Sequence, residues 1–175
     1  MQPRRRARLP VLVYCEGVHD TVFMRHLAEL YTPVNTRNSF DIKTGSGGSP
    51  RSLAERAGRV VGAYEARMVK FDNDRGDEEL EAALAYGSVV RPCYCTPCIE
   101  ATMLEVLEPG RSYATRSTQY CKDRFHRNHI AEADRTRSQR YQQVFPKELL
   151  DDARLRVPQL DAMIRIFEEG DRWSG

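Results

Sequence analysis

Acidic side chains at two strand ends are the residues of this sequence best suited to chemistry. Glu16 follows the apolar run Leu9–Tyr14 and precedes Gly17, while Asp72, Asn73 and Asp74 follow Met68-Val69-Lys70-Phe71. Carboxylates are hard oxygen donors, and two or three of them plus a substrate phosphate suffice for Mg2+, which keeps several of its waters. Two such ions flanking a phosphodiester activate the attacking water and stabilise the leaving oxygen. Aspartates two apart on a strand point to opposite faces, but where the chain turns both can reach one cation. Each group also has a structural reading. Asp72-Asn73-Asp74 suits an acidic turn before a helix, Glu16 suits an ion pair with an arginine, and Asp20 suits the positive end of a helix.

The elements that must position these groups can be read from hydrophobic periodicity. A buried strand is predicted over Leu9–Cys15, and Val22, Phe23, His26, Leu27 and Leu30 then fall on one face of a helix over about Asp20–Leu30. Phe40–Lys43 reads as a second strand, leading into Thr44-Gly45-Ser46-Gly47-Gly48-Ser49-Pro50. Ser49 can cap a helix with Pro50 at its first position, predicted over about Pro50–Ala63 with Leu53, Ala57, Val60 and Val61 inward. The pattern continues with a strand at Arg67–Phe71, a helix from Asp77 to Tyr86, a strand at Ser88–Cys95 and a helix at Pro97–Leu107. Four alternations predict an α/β fold: a mainly parallel four-stranded sheet with helices on both faces. The acidic strand ends, and Glu100 at the start of the fourth helix, then share the carboxyl edge where α/β sheets hold ligands. Residues 1–8 read as a basic arm, 9–110 as the domain bearing the acidic groups, and 111–175 as a polar helical extension. Tyr141–Leu150 and Leu160–Phe167 are the extension's candidates for packing back.

Net charge is only +2, but it is unevenly placed. The first eight residues carry four arginines, and residues 111–147 carry nine Arg or Lys against Asp123, Glu132 and Asp134. Basic stretches beside an acidic body suit a phosphate-bearing partner, because phosphate contacts supply most non-specific affinity for nucleic acid. Lys122, Arg124 and Arg127 are the candidates for that contact, and solvated helix faces are the plain alternative. Tyr113, Tyr120, Phe125 and Tyr141 are interleaved with them and suit either stacking on unpaired bases or anchoring helices to a core. No apolar run reaches the roughly 20 residues of a membrane span, so a cytoplasmic protein is expected. Five cysteines, three of them in Cys93-Tyr94-Cys95-Thr96-Pro97-Cys98, do not suggest a disulfide framework. Cys95 and Cys98 with Cys121 and His126 make a nominal zinc set, against which Cys93 and Cys95 lie in a predicted buried strand.

Glu-Gly-Val-His-Asp at residues 16–20 after the first strand, with Asp-Asn-Asp at 72–74 after the third, resembles the Toprim domain of topoisomerases, primases and certain nucleases. Lys43–Pro50 ahead of one helix, and Thr96–Leu104 ahead of another, are similar to the RloB-like and OLD-type Toprim nucleases. The resemblance spans about residues 9–107. It implies catalytic metal ligation by Glu16, Asp72 and Asp74, with Glu100 supporting a second ion or orienting water, and Mg2+ or Mn2+ as cofactor. It also implies an endonuclease acting in prokaryotic anti-phage defence, on DNA first and structured RNA second. The chain lacks the fused ATPase of OLD-type proteins and has no Walker pattern, so a separate ATPase or sensor subunit is implied. Homo-oligomer formation is compatible with the sequence. The alternative reading is a non-catalytic Toprim-like module that binds nucleic acid or a partner protein.

Overall fold

The computed structural model describes residues 8–174. All but Arg8 of the expected basic arm therefore lies outside the described residues. In chain order the elements are β1 (Leu9–Cys15), α1 (Val18–Tyr31), β2 (Asn38–Thr44), α2 (Pro50–Arg59), β3 (Ala66–Asp72) and α3 (Asp77–Leu84). They continue with β4 (Arg91–Cys95), α4 (Ile99–Leu107), α5 (Thr118–Asn128), α6 (Ser138–Val144), α7 (Lys147–Ala153) and α8 (Pro158–Glu169). The four strands are parallel in the order β2-β1-β3-β4. The chain thus steps outward from β1 to β2, then returns to build β3 and β4 on the other side. That reversal puts a switch point between the carboxyl ends of β1 and β3, where sheets of this kind hold ligands.

Alternation along each strand explains why both faces are covered. Val11, Val13, Cys15, Met68, Cys93 and Cys95 enter the larger core with Phe23 and Leu27 of α1 and Met103 and Leu104 of α4. Val69 and Phe71 face the other way, against Leu53, Ala54 and Ala57 of α2 and Ala83 of α3. A parallel sheet buried on both faces leaves no solvent side for a strand charge. Lys70, in mid-β3, is therefore wholly buried.

Among the boundaries that differ from the sequence reading, three have an identifiable cause. Helix α2 stops at Arg59 because the Arg67 guanidinium takes the carbonyls of Ala57 and Val60 at 2.9 and 2.8 Å. Val61 lies beyond that cap, 94% exposed, and Val60 is not buried. Strand β4 begins at Arg91 rather than Ser88, because the amides of Val89 and Val90 both bond the Tyr86 carbonyl at 2.8 Å and curl the chain into a turn. The expected Tyr141–Leu150 segment is two helices, α6 and α7, separated at Pro146.

The C-terminal third shares the core of the sheet. Phe125, Tyr141, Phe145, Leu160, Ile164, Phe167 and Trp173 all join the larger cluster, and Phe167 meets Phe40 of β2 edge to face at 5.0 Å. Fully burying one such side chain is worth about 1.5–3 kcal/mol, so these helices are part of what makes the sheet stable. Among the described residues no helix is long and apolar enough to cross a membrane.

Candidate functional site

The ends of β1 and β3 open into a cleft of about 460 Å3 at the switch point. Glu16 and Asp72 come from the strand ends, Gly17–Asp20 from the start of α1, and Ile99 and Glu100 from the start of α4. Gln119, Lys122, Asp123 and His126 of α5, with Glu132 and Arg135 beyond it, close the opposite wall. The glycine cluster lets the β2–α2 loop lie against the β1 turn. Gly45 N donates to Cys15 O at 2.6 Å and Gly47 N to Glu16 O at 3.0 Å. A Cβ on Gly45 would stand 2.8 Å from the Cys15 carbonyl oxygen, which forbids a side chain there. Six carboxylates line the cleft against Lys122 and Arg135, so the cavity is short of positive charge.

Lys70 ties the floor together. Its ammonium donates to Asp20 Oδ1 at 2.6 Å and to Asp72 Oδ1 at 2.9 Å. Burial works against its charge, but Asp20 and Asp72 outweigh that and hold its pKa well above the usual lysine value. One ammonium cannot neutralise two carboxylates. Burial pushes the Asp72 carboxyl up against the pull of Lys70, and Asp20 and Glu100 push the same way. Asp72 Oδ1 also accepts from Ile99 N at 3.0 Å. It thereby caps α4, whose own N-cap residue, Cys98, makes no side-chain cap bond. Glu16 Oε2 accepts from Asp72 N at 2.9 Å, which links the two strand ends, and burial raises its pKa.

Glu100 is the most enclosed carboxylate of the rim, 3% exposed. Its Oε1 stands 3.0 Å from His19 Nδ1 and 4.0 Å from His126 Nε2, while its Oε2 is buried with no hydrogen-bond partner. Burial alone would raise its pKa, but the His19 bond and the charges of His19 and Lys122 bring it down to about 2. Glu100 is thus a buried carboxylate with one unused oxygen, and burying such an atom unpaired is costly.

The structure divides the expected residues. Glu16, Asp72 and Glu100 share the cleft with Lys122. Asp74 is exposed and bonds Thr118 Oγ1 at 3.4 Å, without lining the cleft. Among the described residues, two groups have ligand atoms within 4.8 Å of one another: His19–Glu100–His126 and Asp72–Cys98–Glu100. Neither includes Glu16 or Asp74. The nominal zinc set does not form: Cys95 is in neither group, and burial pushes its thiol up to about 11. Arg124 is turned away to Glu108, which it meets at 2.7 Å, and Arg127 is exposed. Of the aromatics interleaved with the basic run, Tyr113, Phe125 and Tyr141 are core residues, and Tyr120 lies against the Arg116 guanidinium at 5.4 Å.

Residue types alone did not single out Lys70, Arg135 or the pairing of His19 with His126. For the histidines a spacing signal existed, since His19 sits three residues after Glu16 and His126 four after Lys122. For Lys70 the signal was a charge inside a strand covered on both faces. Comparison with family models, with curated proteins and with solved structures gives no match.

Proposed function

We propose that the cleft is a divalent-cation-dependent centre that hydrolyses phosphodiester bonds of nucleic acid. The observation that carries this reading is Glu100: a buried carboxylate of depressed pKa with one unpartnered oxygen, beside Glu16 and Asp72 at the sheet's switch point. That arrangement asks for a cation, and carboxylate oxygens fit Mg2+ or Mn2+. When bound, such an ion supplies an activated water and charge stabilisation at the phosphoryl oxygens. Asp72 and Glu100, whose ligand atoms lie within 4.8 Å of one another, would hold it, with Glu16 beside them in the cleft. Lys122 and Arg135 face the cleft and neutralise the phosphate, while Arg127 extends the basic surface outside. The likeness of residues 9–107 to Toprim nucleases supports the same chemistry. It also suggests a defence role with a separate ATPase or sensor, on DNA before structured RNA.

One observation favours a second reading, a non-catalytic module that binds nucleic acid or protein. Lys70 already pairs Asp20 and Asp72, as a purely structural ion cluster would. Cation titration with a cutting assay separates the two. The hydrolytic reading expects Mg2+ or Mn2+ to stabilise the full-length chain, by about 2.7 kcal/mol at a hundred times Kd. It also expects the same ions to switch on nicking of plasmid DNA or cutting of structured RNA. Asp72→Asn with Glu100→Gln should remove both effects. Cutting that survives this double replacement, or cation binding with no cutting of either substrate, rejects the reading.

A further inference from the structure

We propose that His19, Glu100 and His126 form a transition-metal site, which takes a first-row transition cation such as Mn2+ or Zn2+ in preference to Mg2+. The inference rests on the cleft being a cation centre and names which cation it selects. Three observations point to it.

The first is spacing. Ligand atoms about 2.1 Å from one ion stand about 3 Å apart at a right angle and about 4 Å apart as the angle opens. Glu100 Oε1 lies 3.0 Å from His19 Nδ1 and 4.0 Å from His126 Nε2. The three side chains arrive from α1, α4 and α5, so the tertiary fold makes the site.

The second is the tautomer of His126. Its Nδ1 is 2.8 Å from the Ile130 carbonyl, which can only accept. The proton is therefore on Nδ1, and in the neutral ring Nε2 turns a bare lone pair toward the Glu100 carboxylate. Two lone pairs facing each other repel, and a metal cation between them, or a proton on Nε2, removes the repulsion. A histidine whose far nitrogen donates to a backbone carbonyl is the usual arrangement of a metal-bound imidazole, fixed in tautomer and orientation.

The third is the unused valence of Glu100. Its Oε2 is buried without a partner, in a residue that lines the cleft. Imidazole nitrogen is a softer donor than carboxylate or water, and it favours transition ions over Mg2+. Among the described residues Lys122, half-buried, is the one lysine that lines the cleft.

The test uses the full-length chain freed of metal with a chelator and titrated separately with Mn2+, Zn2+ and Mg2+. Calorimetry gives affinity, and Mn2+-induced broadening of histidine ring NMR signals gives location. The expected result is tighter binding of Mn2+ and Zn2+ than of Mg2+, with broadening of His19 and His126 ahead of His26. His19→Gln and His126→Gln should each weaken Mn2+ by at least about tenfold and change Mg2+ by less than about twofold. Mg2+ binding with histidine variants that hold Mn2+ as tightly as the parent overturns this site and leaves the hydrolytic reading standing. No divalent binding at all overturns both. The ring-signal readout on the unmutated chain decides the matter even where a variant fails to fold.

Discussion

The two ends of α4 carry two glutamates in similar company and very different states of completion. Glu108, just past the last turn, is met by Arg124 through two guanidinium nitrogens, by the Tyr113 hydroxyl, by Arg111 at 3.2 Å and by His129 at 3.5 Å. Those bonds, Arg124 foremost, hold its pKa down to about 2. Glu100, in the first turn, has its pKa brought equally low by His19 and Lys122, yet keeps one oxygen without a partner. A depressed carboxyl therefore does not mark a site by itself. What separates the two is satisfaction: both oxygens of Glu108 accept hydrogen bonds, whereas Glu100 faces a cavity with one oxygen to spare.

The Lys70 knot extends this comparison and carries the largest expected effect. Lys70→Met removes the one cation buried between Asp20 and Asp72 and leaves two enclosed carboxylates unpaired. Breaking a buried pair in this way costs about 3–5 kcal/mol, which a urea midpoint should register. A companion triple variant with Asp20→Asn and Asp72→Asn should recover much of that loss. If Lys70→Met alone is as stable as the parent, the knot belongs with clusters that contribute nothing to stability.

An acid titration sharpens the contrast between the two glutamates. Both carboxyls titrate lower in the folded chain than in the unfolded one, so each stabilises above the ordinary glutamate value. That stability is lost as pH falls from about 4.5 through about 2. For Glu100 it amounts to about 3 kcal/mol at neutral pH, since one pH unit of displacement is worth about 1.4 kcal/mol. Thermal melts of Glu100→Gln and Glu108→Gln should both show a flatter acid limb. Added Mn2+ should raise the melting temperature of Glu108→Gln as much as that of the parent and leave Glu100→Gln unmoved. Equal stabilisation of the two variants erases the distinction drawn here.

How far the sequence discloses this arrangement depends on whether the deciding contact is local. The β1 run, the Glu16-Gly17 break and the Ser49-Pro50 start of α2 are set by neighbours in the chain, and they appear where periodicity and capping put them. The end of α2 is not local, since Arg67 closes it from the next strand. The site divides the same way. Glu16, Asp72 and Glu100 are legible as charges at element boundaries, because strand ends of a parallel sheet share one rim. The role of Lys70 follows only once both sheet faces are known to be covered. The partnership of His19 with His126 spans more than a hundred residues and depends on α5 folding back over α4. Asp74 stands just outside: β3 ends at Asp72, and the turn that follows leaves Asp74 exposed and not lining the cleft.

The smallest effect concerns two basic residues of α5 that lie two positions apart and point to different tasks. Lys122 lines the cleft, while Arg124 is committed to Glu108 and lies against the Tyr113 ring at 5.9 Å. A cleft lysine that meets a phosphate releases counterions when nucleic acid binds. Lys122→Met should therefore weaken binding to DNA or RNA of any sequence and reduce the slope of log K against log salt by about 1. Arg124→Met should leave that slope alone and lower the melting temperature instead, because it undoes the closed cluster around Glu108. Filter binding across a salt series, run beside a thermal melt of each variant, reads both. If Arg124→Met flattens the salt dependence as much as Lys122→Met, then Glu108 does not withhold that guanidinium from phosphate, and the division between a closed end of α4 and an open one gives way.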